Sequence, residues 1–392
     1  MEVKQIYALM NSVSNEVLGK TDLIQEDLTG IVDMGTEIFN ANAVDNYVKT
    51  LVNHIGKVVF VNRPYSGKVP SVLMDSWEFG SVLEKVSADI PQAEENKSWS
   101  LEDGTEYKQD VFYKPKVSAK FFNSKVTFEV PVSITELQVK ESFSNAAQLN
   151  GFLSMIYNAV DKSMTIKTDA LIMRTINNMI GATLKADSET FGTGETADYS
   201  KGSTTRCVNL LKLYNDAKGT TLTSAKAITD PEFIRFASYQ MGLVSERLQS
   251  ISTLFNVGGK ERFTPKDSLH TVLLSDFAQA AHAYLYADTY HNGEVMLPNA
   301  ESVPCWQASG LDYGFANVSK IDIKNGTTDA DSVSISGVLG VMFDRDALGV
   351  CNTNKRVTTN YNAKAEFYNN YYKFDCSYFN DTNENFVVFF VA

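Results

Sequence analysis

The chain has 392 residues, 44% of them hydrophobic and 21% charged, ordinary values for a globular protein of two or three packed units. With 35 basic and 47 acidic side chains the net charge is −12, which disfavours a dedicated nucleic-acid binder with its basic stripe. No run of ~18 apolar residues exists to cross a bilayer, and Cys207, Cys305, Cys351 and Cys376 show no CxxC spacing, so neither a zinc cluster nor a disulfide framework is indicated.

The first twenty residues carry a polar side chain every second or third position and no cleavable apolar stretch, so the chain is expected to stay inside the cell that makes it. Val3, Ile6, Tyr7, Met10, Val13 and Val17 recur at helical spacing and predict a short amphipathic helix over 3–18. A second helix is predicted from Val44, Tyr47, Val48, Leu51, Val52 and Ile55, stopping at Gly56, and a short strand over Val58, Val59, Phe60 and Val61 is cut by Arg63-Pro64. These small elements with polar links read as an arm rather than a domain.

Between 75 and 132 the period changes to two. Val86, Ala88 and Ile90 alternate with Lys85, Ser87 and Asp89 before Pro91, and a polar stretch follows with the turn pair Asp103-Gly104. Val117, Ala119 and Phe121 then alternate with Lys116, Ser118 and Lys120. After four residues, Val126, Phe128, Val130 and Val132 resume on the opposite parity, which predicts a two-stranded antiparallel hairpin with one apolar face. Such a ribbon is marginal alone in water. Its apolar face, with Trp77 and Trp99 nearby, needs a cover, and another subunit could supply it.

From Ser133 to Leu184 the period is 3.6, opened by the capping-box pattern Ser133-Ile-Thr-Glu136 and free of proline. One helix over 145–184 would be ~60 Å long, against a diameter of ~55 Å for a compact chain of this size. A break near Thr165–Thr168, where β-branched residues cluster, is the other reading. Residues 185–203 hold three glycines and almost no large apolar side chain, so a mobile loop is expected. Helices follow over Arg206–Lys218 and from Asp230-Pro231-Glu232 to about Phe255. A buried strand is predicted at Leu269–Leu274, a helix from Asp276 through Ala287, and strands at Val318–Ile323 and Val333–Phe343. Mixed elements of this kind predict an α+β domain with its own sheet. Eleven aromatics fall between Tyr361 and Phe390. With Lys364 and Lys373 outnumbered there by Glu366, Asp375, Asp381 and Glu384, a base-stacking platform is disfavoured and a strand pair packed on the long helix is expected.

No phosphate-binding glycine loop, no H-E-x-x-H and no nucleophile elbow occurs. His282, Asp288 and His291 do not have an established ligand spacing, and surface or interface histidines are the better reading of them, as of His54 and His270. Asp344 and Asp346 could pass for a catalytic carboxylate pair, but Arg345 between them and the apolar flanks read as a strand leaving the core. No catalytic residue, cofactor site or metal site is assigned.

Several stretches carry a resemblance: Asp75-Ser-Trp-Glu-Phe-Gly80, the ribbon to Val132, the long helix with Ser142-Phe143-Ser144 and Phe152-Leu-Ser-Met-Ile-Tyr-Asn158, and the ending from Phe343-Asp-Arg-Asp-Ala-Leu-Gly349 to Asn369-Asn-Tyr-Tyr372. In this order of elements the chain resembles the major capsid proteins of tailed bacteriophages, with the Hong Kong 97-type fold. The resemblance implies an N-terminal arm (1–64), an extended β-hairpin loop (65–132), a peripheral domain on a long spine helix (133–203 and 344–392) and an axial α+β domain (204–343). It further implies a non-enzymatic shell protein that self-assembles into pentamers and hexamers, forming an icosahedral head around double-stranded DNA without sequence-specific contact. Because Met1 directly precedes the arm, a separate scaffolding protein is expected, with a portal as a further partner and no membrane. The expected location is the virion, and the host cytoplasm during assembly. Trp77, Trp99, Val117, Phe121, Val126, Phe128 and Val130 are the expected inter-subunit contacts. An encapsulin-type nanocompartment shell and, more remotely, an α+β enzyme are the rival readings.

Overall fold

A computed structural model describes residues 3–19, 50, 69, 72–74, 83–91, 93–107, 110–135, 137, 146–286, 297, 299–307, 314–324 and 332–392. The helix and strand expected within 44–61, and Trp77, lie outside them. The main helices are α1 (Val3–Leu18), α2 (Ala146–Ala186), α3 (Leu210–Lys218), α4 (Pro231–Leu248) and α5 (Ser275–Tyr286). The strands are β1 (Leu73–Met74), β2 (Leu83–Ala88), β3 (Val117–Phe122), β4 (Lys125–Thr135), β5 (Cys207–Asn209), β6 (Leu269–Leu274) and β7 (Ala300–Val303). They continue with β8 (Ile321–Lys324), β9 (Ser332–Ile335), β10 (Val338–Asp344), β11 (Leu348–Asn362), β12 (Phe367–Asn380) and β13 (Phe386–Phe390).

The long helix is continuous. At 41 residues it runs ~60 Å. The threonines that made a break plausible are accommodated inside it. Thr168, Thr175 and Thr183 are buried, and each donates its hydroxyl to the carbonyl four residues back (Met164, Leu171 and Met179) at 2.8–3.0 Å, so none leaves a buried polar group orphaned. Leu171-Ile172, Ile176, Met179-Ile180 and Leu184 form a wide buried stripe. Two sheets share that helix as a common support. The first has the order β1-β11-β12-β4, and the second β5-β13-β10-β6-β7. Met10 and Val13 of α1 are buried in the same cluster as α2, so this part of the expected arm packs into the body.

The second sheet is covered on both faces. Phe386, Val388 and Phe390 of β13 join the cluster under α2, while Val387, Phe389 and Val391 join the one formed with α3, α4 and α5. Burial on both sides is why this segment reads as an unbroken apolar run instead of alternating. It also corrects the expected C-terminal strand pair. Both strands pack on the long helix, but β12 belongs to the first sheet and β13 to the interior of the second, between β5 and β10. The five-residue turn 381–385 therefore carries the chain between sheets.

Other boundaries differ for local reasons. Helix α3 starts at Leu210, because Cys207–Asn209 find a vacant sheet edge beside β13 and Asn209 then caps the helix, accepting from Lys212 N at 3.1 Å. Helix α4, capped by Asp230, ends at Leu248, and the chain folds into a loop in which Ser252 and Arg262 pair. The segment 185–203, expected to be mobile, is pinned by two buried aromatics. Phe191 and Tyr199 lie 5.4 Å apart and both meet Phe390, at 6.0 and 6.2 Å. The strand expected at Val333–Phe343 is split at Gly337, whose φ of +86° and contact with the Val391 carbonyl leave no room for a side chain. The strand expected at Val318–Ile323 starts later and runs over Ile321–Lys324, since Phe315–Val318 forms a helical turn.

His270, on β6 opposite Phe343, has both ring nitrogens buried and unpartnered. Burial pushes its pKa down; the Arg345 charge adds to this and Asp344 opposes it. The folded chain thus binds fewer protons here than the unfolded chain, so the full contribution is present above the ordinary histidine range and is lost as pH falls from about 7 toward 5. His270→Phe should flatten that acid-side loss, read as the difference in Tm between about pH 7.5 and 5, while leaving neutral-pH stability within about 1 kcal/mol. An unchanged acid loss in the variant would rule His270 out as its source.

Candidate functional site

The feature of this chain that its own fold leaves unfinished is the ribbon. The expected hairpin between β3 and β4 does not form. Strand β3 pairs with β2, and β4 pairs with β12 over residues 125–135. Two observations explain why. A two-residue hairpin loop needs positive φ, and neither Asn123 nor Ser124 has it. The chain also keeps its direction along β12, since Ser124 still accepts from Tyr378 N at 3.1 Å and Phe122 packs on Phe379 at 5.2 Å. Lys120, Phe122, Val126, Phe128, Val130, Val132 and Ile134 are accordingly the covered residues of one extended course.

This continuity puts the apolar parity of the ribbon outward. Register pairs share a face, so Val86/Ala119, Ala88/Val117 and Glu84/Phe121 lie together on one side. On that side Val86, Val117 and Phe121 are 61–63% exposed. The opposite side carries Lys85/Lys120, Ser87/Ser118 and Asp89, and turns toward the body. The ribbon thus reverses the usual arrangement, with its polar face in and its greasy face out. Its end loop adds Trp99, Phe112 and Tyr113, exposed by 98, 86 and 77%. Clustered exposure of large apolar groups marks a binding surface rather than chance.

Of the residues expected at an inter-subunit contact, Trp99, Val117 and Phe121 are therefore exposed on the ribbon. Val126, Phe128 and Val130 are not brought to that surface. They are half-buried against the chain's own core, and Phe128 sits 5.3 Å from its register partner Phe374. Trp77 lies outside the described residues.

The ribbon's polar face is held by charges that sequence patterning did not single out. Lys85 and Lys120, facing each other across the ribbon, each place Nζ 3.0 Å from one oxygen of Asp381, whose side chain is 4% exposed. Lys85 also reaches Glu384 at 3.5 Å and donates to the Asp346 carbonyl at 2.8 Å. Arg262 pairs with Glu384 at 3.3 Å and Lys260 with Asp89 at 3.0 Å. Burial alone would raise Asp381, but the Lys120 hydrogen bond and the Lys85 charge outweigh it and hold its pKa below the usual value. Burial keeps the Glu384 carboxyl above the usual value despite Lys85 and Arg262, with Asp344 and Asp381 adding to the rise. The turn bearing both acids is fixed from below: Gly258 N donates to Thr382 O at 2.8 Å, and Gly258 approaches Asn383 too closely to carry a side chain. The only sequence signal for this anchor was the period-two spacing that set Lys85 and Lys120 on the polar parity.

The rival catalytic features are structural or unassembled. Asp344 caps its own turn, accepting from Asp346 N at 2.9 Å, which gives its carboxylate a structural role. Asp288 and His291 lie outside the described residues, and among the described residues no three His, Cys, Asp or Glu side chains gather to hold a metal ion. A groove of about 610 Å³ lies along α2, lined by residues that include Met173, Arg174, Asn177 and Trp306 but neither Asp344 nor His282. Among the described residues no helix is long and apolar enough to cross a membrane.

A family model described as Phi29-like phage major capsid protein matches residues 8–390. The fold is similar to a chain in the capsid structure of Staphylococcus phage Andhra, at 11% identity and TM-score 0.52, covering 84% of this chain and 86% of that one. It is also similar to a chain in the structure of head fiber and inner core protein gp22 of native bacteriophage P68, at 9% identity and TM-score 0.50, covering 85% and 86%. No curated protein sequence matches.

Two substitutions separate the surface from the core. Phe121→Lys places a cation opposite Glu84 and should change unfolding free energy by no more than ~0.5 kcal/mol, whereas Phe128→Lys buries a charge against Phe374 and should cost ~3 kcal/mol or more. Denaturant midpoints of the two unassembled variants measure the difference, and equal losses would refute the assignment of faces.

Proposed function

The chain belongs to the Phi29-like phage major capsid protein family and has the mixed α+β, Hong Kong 97-type capsid fold, and we propose that it builds a phage head by lapping its β2–β3 ribbon over neighbouring copies. The observation that carries this reading is the outward apolar face of the ribbon. A single chain leaves Val86, Val117 and Phe121 in water, and an adjacent copy would remove them at ~25 cal/mol per Å². A heterologous contact of this type, repeated around five- and six-fold axes, closes into pentamers and hexamers and then into an icosahedral shell.

On this reading residues 1–64 form the arm and 65–132 the extended loop, with 133–203 and the first sheet's β11 and β12 in the peripheral domain and 204–343 in the axial domain. The second sheet supports moving Phe386–Phe390 from the peripheral to the axial unit, since β13 pairs with β10 and β5 there. The shell encloses double-stranded DNA without gripping it, in keeping with a net charge of −12, which opposes tight contact with a polyanion. A separate scaffolding protein and a portal complete the assembly, which proceeds in the host cytoplasm and ends in the virion. The chain acts as a structural protein, not an enzyme.

Deleting residues 93–107 or introducing Phe121→Lys should leave a folded chain that no longer forms closed shells, with the loss of particles complete under conditions where the parent chain assembles. Gel filtration with negative-stain microscopy reads the result. Normal shells from both variants would defeat the lapping role.

A further inference from the structure

The anchor of the ribbon is built differently from the rest of the molecule. The two sheets are joined to α2 by apolar packing, but beyond the one apolar pair Leu83/Phe122 beside the connection, the inner face of the ribbon offers Lys85, Ser87, Asp89, Ser118 and Lys120. Its described covalent connection to the body is Asn123-Ser124, two exposed residues outside any strand. Among the described contacts that set its angle, Phe122 on Phe379 holds the base next to the connection, and those farther along are ionic. Both lysines converge on one carboxylate, Asp381, from register-paired positions, so loss of that single group removes an ion-pair partner from both strands at once, leaving Lys85 with Glu384 and the Asp346 carbonyl and Lys120 with the Thr382 hydroxyl.

We propose that Asp381 is a latch: the two facing lysines on its carboxylate fix the ribbon's orientation, and removing that charge lets the ribbon swing about Asn123-Ser124 while both sheets stay folded. The surrounding groups shape the latch. Glu384 shares Lys85 and is itself held by Arg262, Asp344 adds negative charge beside Glu384, and Lys260 ties Asp89 farther out on the ribbon. Ordinary salt screens the hold of the two lysines on Asp381 only weakly, because its own side chain is almost wholly buried. Removing one partner of such a pair is more damaging than screening it, since the other charge is left desolvated. The latch is a property of the single chain, and it stands or falls apart from what the ribbon meets.

The test uses the full chain with Cys305→Ser and spin labels at Thr105→Cys, in the ribbon loop, and Ser250→Cys, on the body. Both labelled positions are exposed, and the three other cysteines are buried. Label-to-label distances are measured in the unassembled chain and in assemblies diluted with unlabelled chain. Asp381→Asn, and separately Lys85→Met with Lys120→Met, should broaden the distance distribution of the unassembled chain at least twofold. Amide exchange at 83–88 and 117–122 should rise at least tenfold, with 338–344 and 386–390 keeping their protection. A narrow, unmoved distribution in both variants would overturn the latch, as would an equal loss of protection across β10 and β13. The lysine variant guards against a folding failure of Asp381→Asn, because its changed residues lie on the ribbon and not in the turn. Shell formation by a variant with a freed ribbon would count against lapping and not against the latch.

Discussion

The pairing of β4 with β12 decides the rest of this molecule. Strand β12 is an aromatic-rich interior strand with Phe374, Tyr372 and Cys376 on the side that faces the core, and β4 supplies Val126, Phe128 and Val130 in register with them. With β4 committed there, β3 runs straight on from it along β12 instead of folding back. It pairs with β2, and the even parity that runs into the core carries Lys120 and Phe122 inward and leaves Val117, Ala119 and Phe121 facing out. An outward apolar ribbon is thus a consequence of sheet register, not a separate design.

Charge and packing divide the labour accordingly. The body is held by burial on both faces of the second sheet and by a ~60 Å helix that serves both sheets. The ribbon, having turned its apolar side away, is held by an almost wholly buried carboxylate with two lysines. This split lets the exposed surface be large without loosening the core, and it confines the ionic contacts to a place where the chain connection is short and bare.

Much of this was legible along the chain. Helical spacing over 3–18, the proline-free 3.6 period of the long helix, the Asp230-Pro231 start and the Leu269–Leu274 strand each follow from local signals that tertiary contacts reinforce. The failures share one cause. Parity on two sides of a short connection looks the same whether the chain reverses or runs straight on, and only the distant partner strand distinguishes the two. Segment 185–203 looked mobile because its glycines are local, while the ring that pins Phe191 and Tyr199 is Phe390, almost two hundred residues away. The anchor was hidden for the same reason: Lys85 and Lys120 stand 261–296 residues from Asp381, so no spacing could join them.

By itself the sequence determined which segments alternate with which period, that the chain carries net negative charge, and that its greasy ribbon and aromatic tail need covering, because these depend on residue order and composition alone. Tertiary structure decided which strand each segment pairs with, which face of the ribbon points outward, and which acid receives the lysines. Those are choices among competing long-range partners of similar local character, settled by the total burial each arrangement achieves and not by any neighbour along the chain.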